Sequence, residues 1–124
     1  MRAMHKFQLN RELLRAAEND DIDAARDLLS KGADPNEIKA LPCAAKYGYK
    51  DIVSLLLENG ADINVGSPLS SAARNGHKDI VSLLLEKGAS VNMDDALGRA
   101  THWGHTDIVT MLLDNGADVN QAMP

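Results

Sequence analysis

The sequence predicts an all-α helix-turn-helix solenoid of four stacked repeats. Three observations predict it. The nine residues KDIVSLLLE occur at Lys50–Glu58 and again, unchanged, at Lys78–Glu86. The triplets Gly32-Ala33-Asp34, Gly60-Ala61-Asp62, Gly88-Ala89-Ser90 and Gly116-Ala117-Asp118 recur at a constant step of 28 residues. Leucine pairs keep the same step: Leu28-Leu29, Leu56-Leu57, Leu84-Leu85 and Leu112-Leu113. Fixed periods of this size mark arrays in which each unit buries its apolar face against its neighbours. The repeats run over about 10–37, 38–65, 66–93 and 94–121, so residues 1–124 read as a single domain.

Each unit reads as two short helices. In the first, Ala16-Ala17 marks a first helix, and Asp20 stands where later units have Gly48, Gly76 and Gly104. Those positions suit a left-handed residue that ends one helix and turns the chain back, and Asp tolerates that conformation. The second helix of this unit has Ala24 and Ala25 in place of Ile and Val. Asp21, Asp23, Arg26 and Asp27 crowd it, as in a partial polar cap. In the second unit Ala44-Ala45 precedes Gly48. In the third, Ser67 is placed to cap a helix that starts at Pro68, where a missing N–H costs nothing. Asp51, Asp79 and Asp107 fall in the first turns of second helices, where the helix dipole favours negative charge. Ile80, Val81, Leu84 and Leu85 form an apolar stripe at helical spacing, and Gly88 ends it. Helices of about ten residues are marginal alone in water, so this stripe must be buried between units. In the fourth unit Ala100-Thr101 takes the alanine-pair position. Ile108, Val109, Met111, Leu112 and Leu113 are as apolar as the internal copies, with thin cover expected from Val119, Ala122 and Met123. An uncovered apolar end would mark self-association through this repeat.

Composition narrows the class. Apolar residues make up 44% and charged residues 25%, ordinary for a globular chain. Cys43 is the single cysteine, so no internal disulfide forms and a reducing, cytoplasmic setting is expected. The N-terminal MRAMHKFQ lacks the apolar run of a signal peptide, and no window approaches a membrane span. A net charge of −5 argues against bulk nucleic-acid binding. Aromatics are 3% of the chain, so the core must be aliphatic. Met111 is expected in the core and Met4 against Phe7.

The third unit carries a family resemblance. Ser67-Pro68-Leu69-Ser70, Ala72-Ala73-Arg74-Asn75-Gly76-His77, the leucine run and Gly88-Ala89-Ser90-Val91-Asn92 resemble an ankyrin repeat, with its TPLHxAAxxGH opening and GADVN close. The resemblance covers nearly all of the chain, Asn10 to Asn120. One departure stands out. Ankyrin repeats usually run about 33 residues, with a β-turn leading into two helices, and these run 28. The shortfall lies before each first helix, so the projecting β-hairpins are expected to be absent or reduced to tight loops. Binding contacts would then shift onto the first helices.

The resemblance implies that first helices line a concave face. It points the two residues after each alanine pair into that face: Glu18 and Asn19, Lys46 and Tyr47, Arg74 and Asn75, His102 and Trp103. Arg15, Cys43, Ser71 and Arg99 lie alongside. Over the first-helix windows 10–19, 38–47, 66–75 and 94–103 the formal charges are zero, +2, +1 and −1, giving +2. The second-helix windows 20–29, 48–57, 76–85 and 104–113 give −4. An acidic protein thus has a mildly basic inner face bearing Arg, Tyr and Trp, the residue types enriched at binding hot spots. Arg and Lys on an exposed helix are also commonly no more than solvated.

Catalytic and metal chemistry are weakly supported. His102 and His105 are three apart, but Gly104 breaks the helix between them, and no second pair of ligands accompanies them. His77 and His105 match the family's Gly-His, where the ring bridges adjacent loops. Cys43 lacks a neighbouring base in sequence, and phosphate-binding glycine motifs are absent. The expected function is a non-catalytic protein-interaction module, without cofactor or metal. It would bind a protein or peptide that is acidic and has an apolar anchor, and would not bind nucleic acid or membrane. The alternative is a structural spacer, or a fragment or designed version of a longer ankyrin array without its own ligand.

Overall fold

The computed structural model describes residues 5–36 and 39–119. Among these residues eight α-helices form four consecutive pairs: α1 (Lys6–Glu18) with α2 (Ile22–Ser30), α3 (Ala40–Tyr47) with α4 (Lys50–Glu58), α5 (Pro68–Arg74) with α6 (Lys78–Glu86), and α7 (Ala96–His102) with α8 (Thr106–Asp114). Among the described residues there is no strand, as the short period predicts. Each helix packs on its pair-mate and on its counterpart in the next unit. The odd-numbered helices form an inner layer and the even-numbered ones an outer layer. The inner layer packs more closely, because the facing residues are small. Ala17, Ala44, Ala45, Ala72, Ala73 and Ala100 are fully buried. The outer layer buries larger side chains, with Ile52, Val53, Leu56, Val81 and Leu84 at 0% exposure.

The turn within each unit follows the expected chemistry. Asp20 adopts φ 54°, and Gly48 and Gly76 adopt 83° and 76°. Glycine at 48 and 76 answers a second demand as well. A Cβ built on Gly48 would lie 2.8 Å from the His77 ring, and one on Gly76 would lie 2.8 Å from the His105 ring. Those rings bridge the units. Nε2–H of His77 donates to the Lys46 carbonyl at 2.8 Å, and Nε2–H of His105 to the Arg74 carbonyl at 2.9 Å. A carbonyl only accepts, so the bond fixes the proton on Nε2. Both carbonyls lie in the last turn of an inner helix, where no intrahelical partner exists. The family-based expectation that these histidines tie loops together holds.

At the connections leading into α5 and α7 a tight turn accounts for the short period, whereas Lys39, at the same place before α3, keeps a negative φ of −72°. Gly66 and Ser67 have φ 72° and 60°, and at the equivalent place Asp94 and Asp95 have 51° and 58°. Two successive left-handed residues reverse the chain in very few positions, as in the tightest hairpin turns. Gly66 is also needed for space, since a Cβ there would meet Pro42 at 2.6 Å. This geometry overturns one expectation. Ser67 occupies the N-cap position of α5, but its side chain makes no cap, and its hydroxyl donates instead to the Asp94 carboxylate. Asp95 does cap its helix, accepting from the Gly98 amide at 3.1 Å.

A ladder of asparagines stitches the units on the far side. The side-chain oxygen of Asn36 accepts from the Asp62 amide at 2.5 Å. Asn64 does the same for Ser90 at 3.0 Å and Asn92 for Asp118 at 2.6 Å. In the first unit Asn10, buried within α1, takes the role by accepting from the Asp34 amide at 2.7 Å. α1 is 13 residues long, against the expected ten, which brings a helical residue to the place a loop residue holds elsewhere. Met4, the expected Met4–Phe7 contact and the tail from Asn120 onward lie outside the described residues. Phe7 itself is exposed, with the Arg11 guanidinium 5.9 Å from its ring centre.

Candidate protein-binding surface

The alanine pairs that bury one side of each inner helix fix what its other side presents. With Ala44-Ala45 and Ala72-Ala73 packed inward, the next two residues fall on the open face. Arg15, Glu18, Asn19, Lys46, Tyr47, Arg74, Asn75, Arg99, His102 and Trp103 are exposed, and Cys43 and Ser71 are half-buried. Tyr47, the last residue of α3, and Trp103, which directly follows α7 at the equivalent repeat position, leave about half of their surface open, 50% and 53%. For an aromatic side chain that is a large apolar area in water.

The face is partly organised by its own contacts. The Arg74 guanidinium lies 5.5 Å from the centre of the Trp103 ring, reaching from the third unit onto the fourth. Lys46 sits 5.5 Å from the Tyr47 ring centre, and Tyr47 packs at 5.8 Å on Tyr49. The His102 ring meets Trp103 edge-on at 5.3 Å. His102 and His105 are thus engaged separately, one on Trp103 and the other on the Arg74 carbonyl. Asn19 and Asn75 have structural employment: their amide nitrogens donate to Arg15 and Ser71 carbonyls, each at 2.8 Å, finishing α1 and α5. Arg15 pairs with Glu12 at 3.2 Å.

Two cavities of about 310 Å³ each open on the inner face. One is lined by Lys39, Pro42, Cys43, Lys46, Tyr47, Gly66 and Ser71. The other is lined by Ser67, Ser70, Ser71, Arg74, Asp94 and Arg99. They share Ser71, so they lie side by side along the stack. Sequence reasoning missed Lys39, Pro42, Gly66, Ser67, Ser70 and Asp94. A signal existed for four of them. Lys39, Pro42, Ser67 and Ser70 precede Cys43, Lys46, Ser71 and Arg74 by four residues, one helical turn on the same face. Asp94 and Gly66 carried no such signal, because the double left-handed turn places them. Burial pushes the Cys43 thiol above its usual range, Glu18 pushes it further and Lys46 pulls it back. It therefore stays a neutral thiol at neutral pH, unsuited to nucleophilic attack.

At the far end of the stack α8 keeps Ile108 and Leu112 buried. Val109 and Met111 are half-buried and Leu113 is 43% exposed. Met111 thus packs against the core rather than within it. Among the described residues no group of three or more His, Cys, Asp or Glu could hold a metal ion, and no helix is long and apolar enough to cross a membrane.

The family model described as ankyrin repeats (3 copies) matches residues 13–95 and 66–123. The chain belongs to the ankyrin-repeat family. No curated protein matches it in sequence. Ankyrin repeats are generally protein–protein interaction modules and are typically non-catalytic. The connections before its third and fourth helix pairs are compact double left-handed turns.

Proposed function

We propose that this ankyrin-repeat protein holds an extended segment of a partner protein against its inner helices, without catalysing a reaction. The observation that carries the reading is the pair of half-open aromatic side chains, Tyr47 and Trp103, flanked by Lys46 and Arg74. Aromatic and arginine side chains are the common anchors of protein interfaces. The excess of basic groups over acids on α3 and α5 favours a segment with acidic residues, and the rings favour an apolar anchor within it. The single neutral cysteine suits a cytoplasmic setting.

The test is selection of a random peptide library on the immobilised full chain. Selected peptides are expected to keep binding the outer-layer variant Asp51→Lys. They should lose binding to the double variant Arg74→Glu/Trp103→Ala, whose helical circular dichroism should be unchanged. The opposite ranking would move the surface to the outer helices or the loops.

A further inference from the structure

We infer that the bound segment is a polyproline-II-like stretch with an apolar residue and a carboxylate at positions i and i+3. This inference rests on the reading of the inner face as the binding surface. The two cavities differ in character. The first has the buried Pro42, the neutral Cys43 and the Tyr47 ring as walls, with the exposed Lys39 and Lys46 at its edge. Its walls suit an apolar side chain. The second holds Arg74 and Arg99, with Ser71 beside them and the buried Ser70 donating its hydroxyl to the Asp94 carbonyl at 2.9 Å. One acid, Asp94, shares that cavity and accepts the Ser67 hydroxyl, so two guanidiniums against one carboxylate leave a single positive charge in excess. Arg99 directs one of its five N–H donors to the Asp94 carbonyl at 3.4 Å. A carboxylate is the ligand that a guanidinium recognises best among protein side chains.

The distance between the cavities selects the backbone conformation of the ligand. The first lies over α3 and the edge of α5, and the second over α5 and the edge of α7, so they are one helix spacing apart. Packed helices are about 8–10 Å apart. A polyproline II helix has three residues per turn and rises about 3.1 Å per residue, so i and i+3 share a face about 9 Å apart. A β-strand puts i and i+2 on one face about 7 Å apart, and i and i+4 about 13 Å apart, which brackets the spacing without matching it. Recognition of this kind also carries a low ordering cost, since the ligand conformation is populated before binding.

The experiment uses a random dodecapeptide library selected on the full chain, then one enriched synthetic peptide measured by fluorescence polarisation. Enriched sequences are expected to pair an apolar residue with Asp or Glu at a separation of three. Replacing that acid with Ala should weaken binding roughly tenfold. Arg74→Gln/Arg99→Gln should weaken the parent peptide by a similar factor. In that double variant the acid-to-Ala change should then cost nothing further, as a coupled pair requires. Peptides that need Tyr47 and Trp103 but show no such spacing, or whose acid is not coupled to the two arginines, would overturn this inference and leave the inner-face reading standing. Failure to enrich any peptide dependent on the inner face would overturn both.

Discussion

Helices α6 and α8 carry the same apolar pattern, Ile-Val-x-x-Leu-Leu, and bury it differently. In α6, Ile80, Val81 and Leu84 are at most 1% exposed and Leu85 is half-buried. In α8, Ile108 and Leu112 are buried, Val109 is half-buried and Leu113 is exposed. The outer helix α4, identical in sequence to α6, agrees with α6 at Val53 and Leu56. What separates α8 is its neighbours: α6 lies between α4 and α8, whereas α8 meets α6 alone among the outer helices described. The inner layer shows the same contrast. Ala17, Ala45 and Ala73 are fully buried, and the equivalent Thr101 in α7 is exposed, its hydroxyl donating to the Leu97 carbonyl at 2.7 Å. The fourth unit is thus polar on the outward side of its inner helix and apolar on the outward side of its outer helix. In a stack, the stabilisation of a residue belongs to the interface between units as much as to the unit.

The sharpest test is to truncate one leucine from each helix. Leu84→Ala is expected to cost about 2–5 kcal/mol, through lost burial and the cavity left behind. Leu113→Ala should cost less than about 1 kcal/mol, because much of that side chain is already in water. Urea denaturation measures both. Equal losses would mean that the exposure of Leu113 does not lower its contribution to the fold.

A smaller effect separates two glycines of the same turn. Gly76 and Gly104 have nearly equal φ, 76° and 75°. A Cβ on Gly76 would strike the His105 ring, whereas on Gly104 it would meet nothing within 4 Å. Both Ala variants bear the left-handed strain, about 1–2 kcal/mol. Gly76→Ala should lose roughly 1 kcal/mol or more beyond that, from crowding the ring. If thermal unfolding places the two variants together, the histidine bridge is looser than its 2.9 Å bond to the Arg74 carbonyl implies.

The smallest effect concerns Asp20, which holds φ 54° where the next units have glycine. Asp20→Gly relieves left-handed strain and adds flexibility to the unfolded chain, two terms of similar size. The net change should stay within about 1 kcal/mol. A larger loss in the same denaturation assay would assign the Asp20 side chain a contact of its own.

Much of this was legible in advance, and the reasons differ by residue. The helices, the left-handed Asp20, Gly48 and Gly76, and the buried Leu84 follow from local preference and a strict period. The bridging role of His77 and His105 came from family resemblance. Ser67 was misread because Ser before Pro is a strong capping signal, and nothing local reveals that Asp94, in the next unit, takes its hydroxyl. The asparagine ladder was open to the same periodicity as the leucines. Its bonds, however, join residues 24 or 26 apart, and Asn10 takes its place from a helix rather than a loop. On the inner face, exposure of Tyr47 and Trp103 follows once the alanine pairs are buried. The cavities beside them do not.

The sequence by itself determined the period, the number of helices and which side of each helix must be apolar, because these depend on spacing along one chain. Only the tertiary structure decided where one unit sits against the next. That offset sends the His77 ring to the Lys46 carbonyl, the Ser67 hydroxyl to Asp94 and the Arg74 guanidinium onto Trp103. The physical reason is that a repeat guarantees the same contact recurs, while the distance and rotation between copies come from how closely the buried alanines let the helices approach. The cavities on the inner face are products of that approach, so they belong to the stack and to no single unit.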